Sequence, residues 1–161
     1  MTARENPLGL HGFAFVEFTS PDSDAMADLF RKLGFSHVGT HRSRAIDHYA
    51  QGGINFLLNR EPTGHADEFR RAHGPSASAM AFFVRDADRA LKLALERGAT
   101  RAEGELELPV LEGIGGSYLY LVDQIGYEAL FGPAFEPVAG ASQQANAVGL
   151  HTLDHLTHNV N

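Results

Sequence analysis

Gly12-Phe13-Ala14-Phe15-Val16-Glu17-Phe18 decides how the chain is read, because its texture returns at Met80-Ala81-Phe82-Phe83-Val84. Both runs are short, apolar and rich in strand formers. After the first, Ser20-Pro21-Asp22 predicts a helix start with proline at the first helical position. Met26, Leu29, Phe30 and Leu33 then recur at i, i+3, i+4 and i+7, one apolar face of a helix. Gly34 closes that helix as a C′ glycine. Three strand-like runs follow, Phe35 to Arg42, Ala45 to Gln51 and Ile54 to Asn59, with a hairpin turn at Gly52-Gly53.

The second copy repeats this order. Asp86 caps a helix whose apolar stripe is Ala87, Ala90, Leu91 and Ala94, and Gly98 ends it. Strands are predicted around Pro109 to Glu112, Ser117 to Asp123 and Glu128 to Phe131, with the loop Gly113-Ile114-Gly115-Gly116 among them. A β-α-β-β-β unit used twice, at a period of about 65 residues, predicts an α+β fold of two tandem modules around a shared cleft. The modules run over about 8–62 and 76–132, inside an N-terminal domain of residues 1–132. Residues 133–148, rich in Ala, Gly and Ser, read as a linker. Gly149-Leu150-His151 then repeats Gly9-Leu10-His11, so residues 149–161 are expected to open a third module with its first strand.

Composition narrows the function classes. With 161 residues the chain is long enough to bury a substantial core without disulfide or metal. Thirteen basic against twenty acidic residues give a net charge of −7, and no Lys or Arg block interrupts that balance. Nucleic acid and anionic membrane are therefore not expected partners. The absence of cysteine rules out thiolate nucleophiles and Cys-ligated zinc. No apolar stretch approaches the ~20 residues of a membrane span, and residues 1–6 lack the apolar core of a secretory signal. The expected location is cytoplasmic.

Nine histidines are the candidate ligands. His11, His37, His41, His48, His65 and His73 are scattered over turns and strand ends and read as surface or hydrogen-bonding residues. His151, His155 and His158 are closer together. On a helix all three would share a face and could hold zinc. On a strand His151 and His155 share a face while His158 points away. Thr152, Thr157, Asn159 and Val160 are poor helix formers, so the strand is preferred and a three-histidine helical site is not expected.

Several segments together resemble bacterial 4-hydroxyphenylpyruvate dioxygenases. They are Asn6-Pro7-Leu8-Gly9-Leu10, Phe15-Val16-Glu17-Phe18, His41-Arg42-Ser43, Gln51-Gly52-Gly53-Ile54-Asn55 and His73-Gly74-Pro75-Ser76. Glu112-Gly113-Ile114-Gly115-Gly116, Tyr120-Leu121-Val122-Asp123 and Asp154-His155-Leu156-Thr157-His158-Asn159-Val160 continue the series in family order. The resemblance implies the vicinal-oxygen-chelate superfamily and an enzyme that uses Fe(II) and O₂. Its substrate is a small aromatic 2-oxo acid, 4-hydroxyphenylpyruvate, and its product homogentisate. Iron in that family sits on two histidines and one carboxylate.

The first histidine of that triad matches His155; His158 is a motif residue and not a ligand. The resemblance places the other two ligands and the substrate contacts in a catalytic second half, so no catalytic residue is assigned here. The chain resembles the N-terminal, structural half, expected to be inactive alone and to belong to a homo-oligomer. In the first module either Phe13 or Phe15 stands at the ligand position, where an aromatic ring cannot coordinate iron. The run Gly104 to Leu108 is shorter than usual in the family and Tyr127 to Val138 matches poorly, which leaves a hydroxymandelate-forming relative or a fusion to a different enzyme open.

Two other readings remain open. One is a metal-free binding or dimerisation module whose cleft is lined by Phe82, Phe83, Tyr118, Tyr120 and Phe131. The other is a metal site shared between chains, with two copies of His155 and Glu17, Asp123 or Glu128 as the carboxylate.

Overall fold

The computed structural model describes residues 5–157. In chain order the elements are β1 (Gly12–Thr19), α1 (Ser23–Lys32), β2 (Ser36–His41), β3 (Ile46–Gln51), β4 (Ile54–Asn59) and α2 (His65–His73). Then come β5 (Ser76–Phe83), α3 (Ala87–Glu96), β6 (Val110–Glu112), β7 (Tyr118–Val122), α4 (Gln124–Phe131) and β8 (Phe135–Pro137). All eight strands join one sheet in the order β6-β7-β5-β1-β4-β3-β2-β8. β1 pairs in parallel with β4 and antiparallel with β5, so the two opening strands β1 and β5 form the seam between the modules.

The first module has the expected β-α-β-β-β order. Its helix starts at Ser23, because Asp22 is the cap and its carboxylate accepts the Ala25 N–H at 2.9 Å; Ser20-Pro21 is the approach to the helix and not its first turn. Gly34 leaves the helix at φ +91°, and a Cβ there would meet the Asn146 carbonyl oxygen at 2.9 Å. That position requires glycine twice over.

The second module is reduced. β5 runs parallel to β7, and β7 pairs antiparallel with β6. Between α3 and β6, where the first module has a full strand, there is one bridge, Arg101 to Leu111. Glu128 to Phe131, expected as a strand, is the end of α4. Asp123 nucleates that helix by accepting the Gly126 N–H at 2.9 Å, and the run Ala129-Leu130-Phe131 then presents Leu130 to the core at helical spacing. Phe135–Pro137, inside the stretch expected as linker, is β8 and pairs with β2 at the sheet edge.

Helix α2 carries no apolar stripe that announces it. Asp67 and Glu68 sit in its first turn and Arg70, Arg71 and His73 in its last, so charge complements the helix dipole, and Ala66 and Asp67 are the residues it buries.

Three clusters make the core. Phe30 of α1 packs with Phe35, Tyr49, Ile54 and Leu58 on one sheet face. Ala87, Ala90, Leu91 and Ala94 of α3 pack with Val84, Leu111 and Leu121. The third cluster fills the opposite, concave face: Phe15, Leu57, Tyr120 and Val122 are closed over by Leu106, Leu130 and Phe135.

The expected third-module strand is not formed in the described part, 149–157. β8 takes the edge at β2, and this segment instead runs along the β3–β4 turn of the first module. Gln51 Oε1 accepts the Val148 and Leu150 N–H groups at 2.7 and 3.3 Å, and the Gly53 N–H donates to the His151 carbonyl at 3.0 Å. Leu153 packs against the Phe30 cluster. His158, Asn159 and Val160 lie outside the described residues.

Candidate functional site

The concave face is where two such modules would enclose a ligand, and here it is packed solid around β1. Phe15 is 0% exposed and meets Tyr120 and Phe131 with ring centroids 5.7 and 6.1 Å apart. The residues expected to line a cleft are spent on packing. Tyr120 is fully buried, Phe83, Tyr118 and Phe131 pack against the same cluster, and Phe82 lies on Phe13 across the β1–β5 ladder at 5.3 Å. Of the two phenylalanines expected at the first module's ligand position, Phe15 is the one that turns the concave face into core.

His155 is exposed, its side chain 77% accessible, and its Nδ1 pairs with the adjacent Asp154 carboxylate at 2.8 Å. Among the described residues no group of three or more histidine and carboxylate side chains with ligand atoms in reach of one ion includes it. The Fe(II) that the resemblance implies is therefore not fitted by these residues alone. The carboxylates considered for a shared site are engaged elsewhere. Asp123 accepts the Gly126 and Ala87 N–H groups, and Glu128 accepts from Gln124 at 2.7 Å. Glu17 is wholly buried and cannot reach another chain.

Glu17 instead anchors a polar cluster that the sequence does not reveal. β1 carries it onto the inner face, α2 begins beside it with His65, and the loop before β6 brings Glu105. One oxygen or nitrogen from each of the three lies within 4.8 Å of the others. The Ser78 hydroxyl donates to Glu17 Oε1 at 3.0 Å, and the Asn59 amide donates to Glu105 Oε2 at 3.1 Å. His65 stacks on Tyr118 at 3.5 Å, and its Nε2–H donates to the Gly116 carbonyl at 2.7 Å. Burial pushes the Glu17 carboxyl up to about 7, and the nearby Glu105 raises it further than Ser78 lowers it. Glu105 also borders a cavity of about 380 Å³ between the β2–β3 connection and α4.

Of the surface or hydrogen-bonding roles expected for it, His48 takes the second. It is 8% exposed, donates from Nε2 to Asn55 Oδ1 at 2.9 Å, and lies against Phe131 and Phe135. Burial lowers its pKa to about 4, which keeps the ring neutral.

The paired modules on one sheet define a glyoxalase-like, vicinal-oxygen-chelate protein. Residues 4–136 match the family described as Hydroxyphenylpyruvate dioxygenase, HPPD, N-terminal, and the chain belongs to that family. A 4-hydroxyphenylpyruvate dioxygenase of Pseudomonas aeruginosa is 47% identical over 165 residues, covering 98% of this chain and 46% of that protein. A 3-dehydroshikimate dehydratase of the same species is 38% identical over 120 residues, covering 70% of this chain and 19% of the dehydratase. A solved xylose isomerase-like TIM barrel/4-hydroxyphenylpyruvate dioxygenase fusion protein matches with a TM-score of 0.74 and 34% identity, over 84% of this chain and 23% of that one. The chain thus spans about half the length of the curated dioxygenase it matches, 46%.

Among the described residues no helix is long and apolar enough to cross a membrane.

Proposed function

We propose that this chain is the N-terminal, assembly half of an Fe(II)-dependent dioxygenase that converts 4-hydroxyphenylpyruvate and O₂ to homogentisate and CO₂. In this reading His155 is one iron ligand and opens the catalytic domain at residues 149–161. The packed face around Phe15 is the observation that carries it, because a β-α-β-β-β pair whose ligand position is filled by a buried aromatic ring has scaffold work to do there. The first half alone would be inactive, since one histidine with no fixed partners retains little metal affinity. The enzyme would act in the cytoplasm, in tyrosine breakdown, as a homo-oligomer.

The match to a dehydratase, together with the likeness to a solved TIM barrel/dioxygenase fusion protein, supports a second reading, in which the same module is joined to a barrel enzyme of different chemistry. The reading frame on either side of the codons for Met1 and Asn161 separates the two. A downstream frame encoding a second histidine and a glutamate at triad positions supports the dioxygenase. A long barrel-coding frame upstream would replace it with the fusion.

A further inference from the structure

We propose that Glu17, His65 and Glu105 form a divalent-metal site inside the N-terminal module pair, distinct from any site that includes His155. Ligand atoms within 4.8 Å of one another need only small side-chain adjustments to surround one ion at bond lengths of about 2.1 Å. Each ligand has an outer partner that fixes its orientation. Ser78 holds one Glu17 oxygen, the Asn59 amide and the Ala66 N–H each hold one Glu105 oxygen, and the Gly116 carbonyl accepts a hydrogen bond from His65 Nε2–H. That last bond sets the tautomer and leaves the Nδ1 lone pair bare, the arrangement seen at metal-bound histidines.

The inward atoms are the second observation. Glu17 Oε2 and His65 Nδ1 are buried with no hydrogen-bond partner, as is the nearby Tyr120 hydroxyl. An unpaired buried acceptor is costly, and two of them facing a third ligand call for a cation or a strong donor. Among the described residues neither Glu17 nor Glu105 forms an ion pair with Arg, Lys or His. Space is also reserved. A Cβ on Gly64 would sit 2.5 Å from Glu105 Oε1, and one on Gly104 2.5 Å from the Tyr120 hydroxyl.

One imidazole nitrogen and two carboxylate oxygens suit Zn(II), Mn(II) or Fe(II) and disfavour soft Cu(I). The site would tie together β1, the start of α2 and the loop before β6, segments remote in sequence, so the ion's role is to lock the fold. It binds no substrate and needs no residue of a second domain.

The test is calorimetric titration of the EDTA-treated 161-residue chain carrying His155→Ala with Zn(II), alongside its melting temperature. The His155→Ala background makes the result independent of the iron-site reading. Expected are one tight equivalent and a Zn(II)-dependent rise in melting temperature. Glu17→Gln and Glu105→Gln should each weaken binding by ~100-fold or more, and Ser78→Ala by ~10-fold, as loss of outer partners does. Glu105, in a loop and partly exposed, provides a variant that folds even if Glu17→Gln does not. Absence of binding, affinity unchanged in both Gln variants, or a crystal structure grown in Zn(II) with a water among the three side chains would each overturn the proposal.

Discussion

Phe15→Ala should destabilise the chain by about 3–5 kcal/mol, the usual range for emptying a fully buried aromatic site. Phe15 is 0% exposed and is clasped by Tyr120 and Phe131, with Leu106 and Leu130 closing over the same cluster. Those lids come from a loop and a helix anchored elsewhere, so the gap left behind cannot collapse cheaply. Phe13→Ala, at a partly exposed ring paired with Phe82, should cost about 1 kcal/mol. Urea denaturation of the two variants measures the contrast. It also decides between a filled scaffold and a ligand-binding cleft. A Phe15→Ala loss below about 1 kcal/mol would mean that the concave face is loosely packed and able to open.

The second large effect is acid sensitivity at His48. Burial holds the folded ring at a pKa of about 4, against an ordinary imidazole value of 6.5. In the unfolded chain the ring gains its proton as pH falls through about 6.5, whereas the folded chain holds it neutral until about 4. The unfolded state therefore binds more protons across this window, and stability is lost as pH falls. The full effect is about 3 kcal/mol, reached near pH 4. Glu17 acts with the opposite sign between about 4.5 and 7, because its raised pKa favours the folded state as pH falls. Wild type must therefore be compared with His48→Gln, which keeps a donor for Asn55 and cannot be protonated. The wild-type chain should lose about 2–3 kcal/mol more than the variant between pH 7 and 4.5, by urea denaturation at each pH. Equal losses would show that His48 titrates like a free imidazole.

Where local chemistry and tertiary packing agree, the fold is legible in the residues. The aromatic run of β1, the i, i+3, i+4 face of α1 and the Gly52-Gly53 turn each specify an element without help from the rest of the chain. α3 is equally clear from its alanine stripe. α2 is not, because its first and last turns are stabilised by charge and its apolar content is small. α4 is mistaken for a strand because Ala129-Leu130-Phe131 satisfies both a strand and a buried helix, and the deciding group is the Asp123 cap.

The tail has the pattern of a strand, yet its described part bonds to the Gln51 side chain and the Gly53 N–H instead of joining the sheet. The polar cluster is nearly silent in the sequence. Glu17 sits in an apolar strand, His65 opens an unannounced helix and Glu105 lies in an irregular loop, so only burial brings them together. An acidic residue in an otherwise apolar strand run is the one clue available, since a buried carboxylate requires a partner.

The proposed function makes this chain the scaffold half of an enzyme whose catalytic half opens with the tail around His155. Assay of the purified 161-residue chain with Fe(II), ascorbate, O₂ and 4-hydroxyphenylpyruvate tests it most directly. No homogentisate above the protein-free background is the predicted result. Sustained turnover to homogentisate by this chain alone would contradict it.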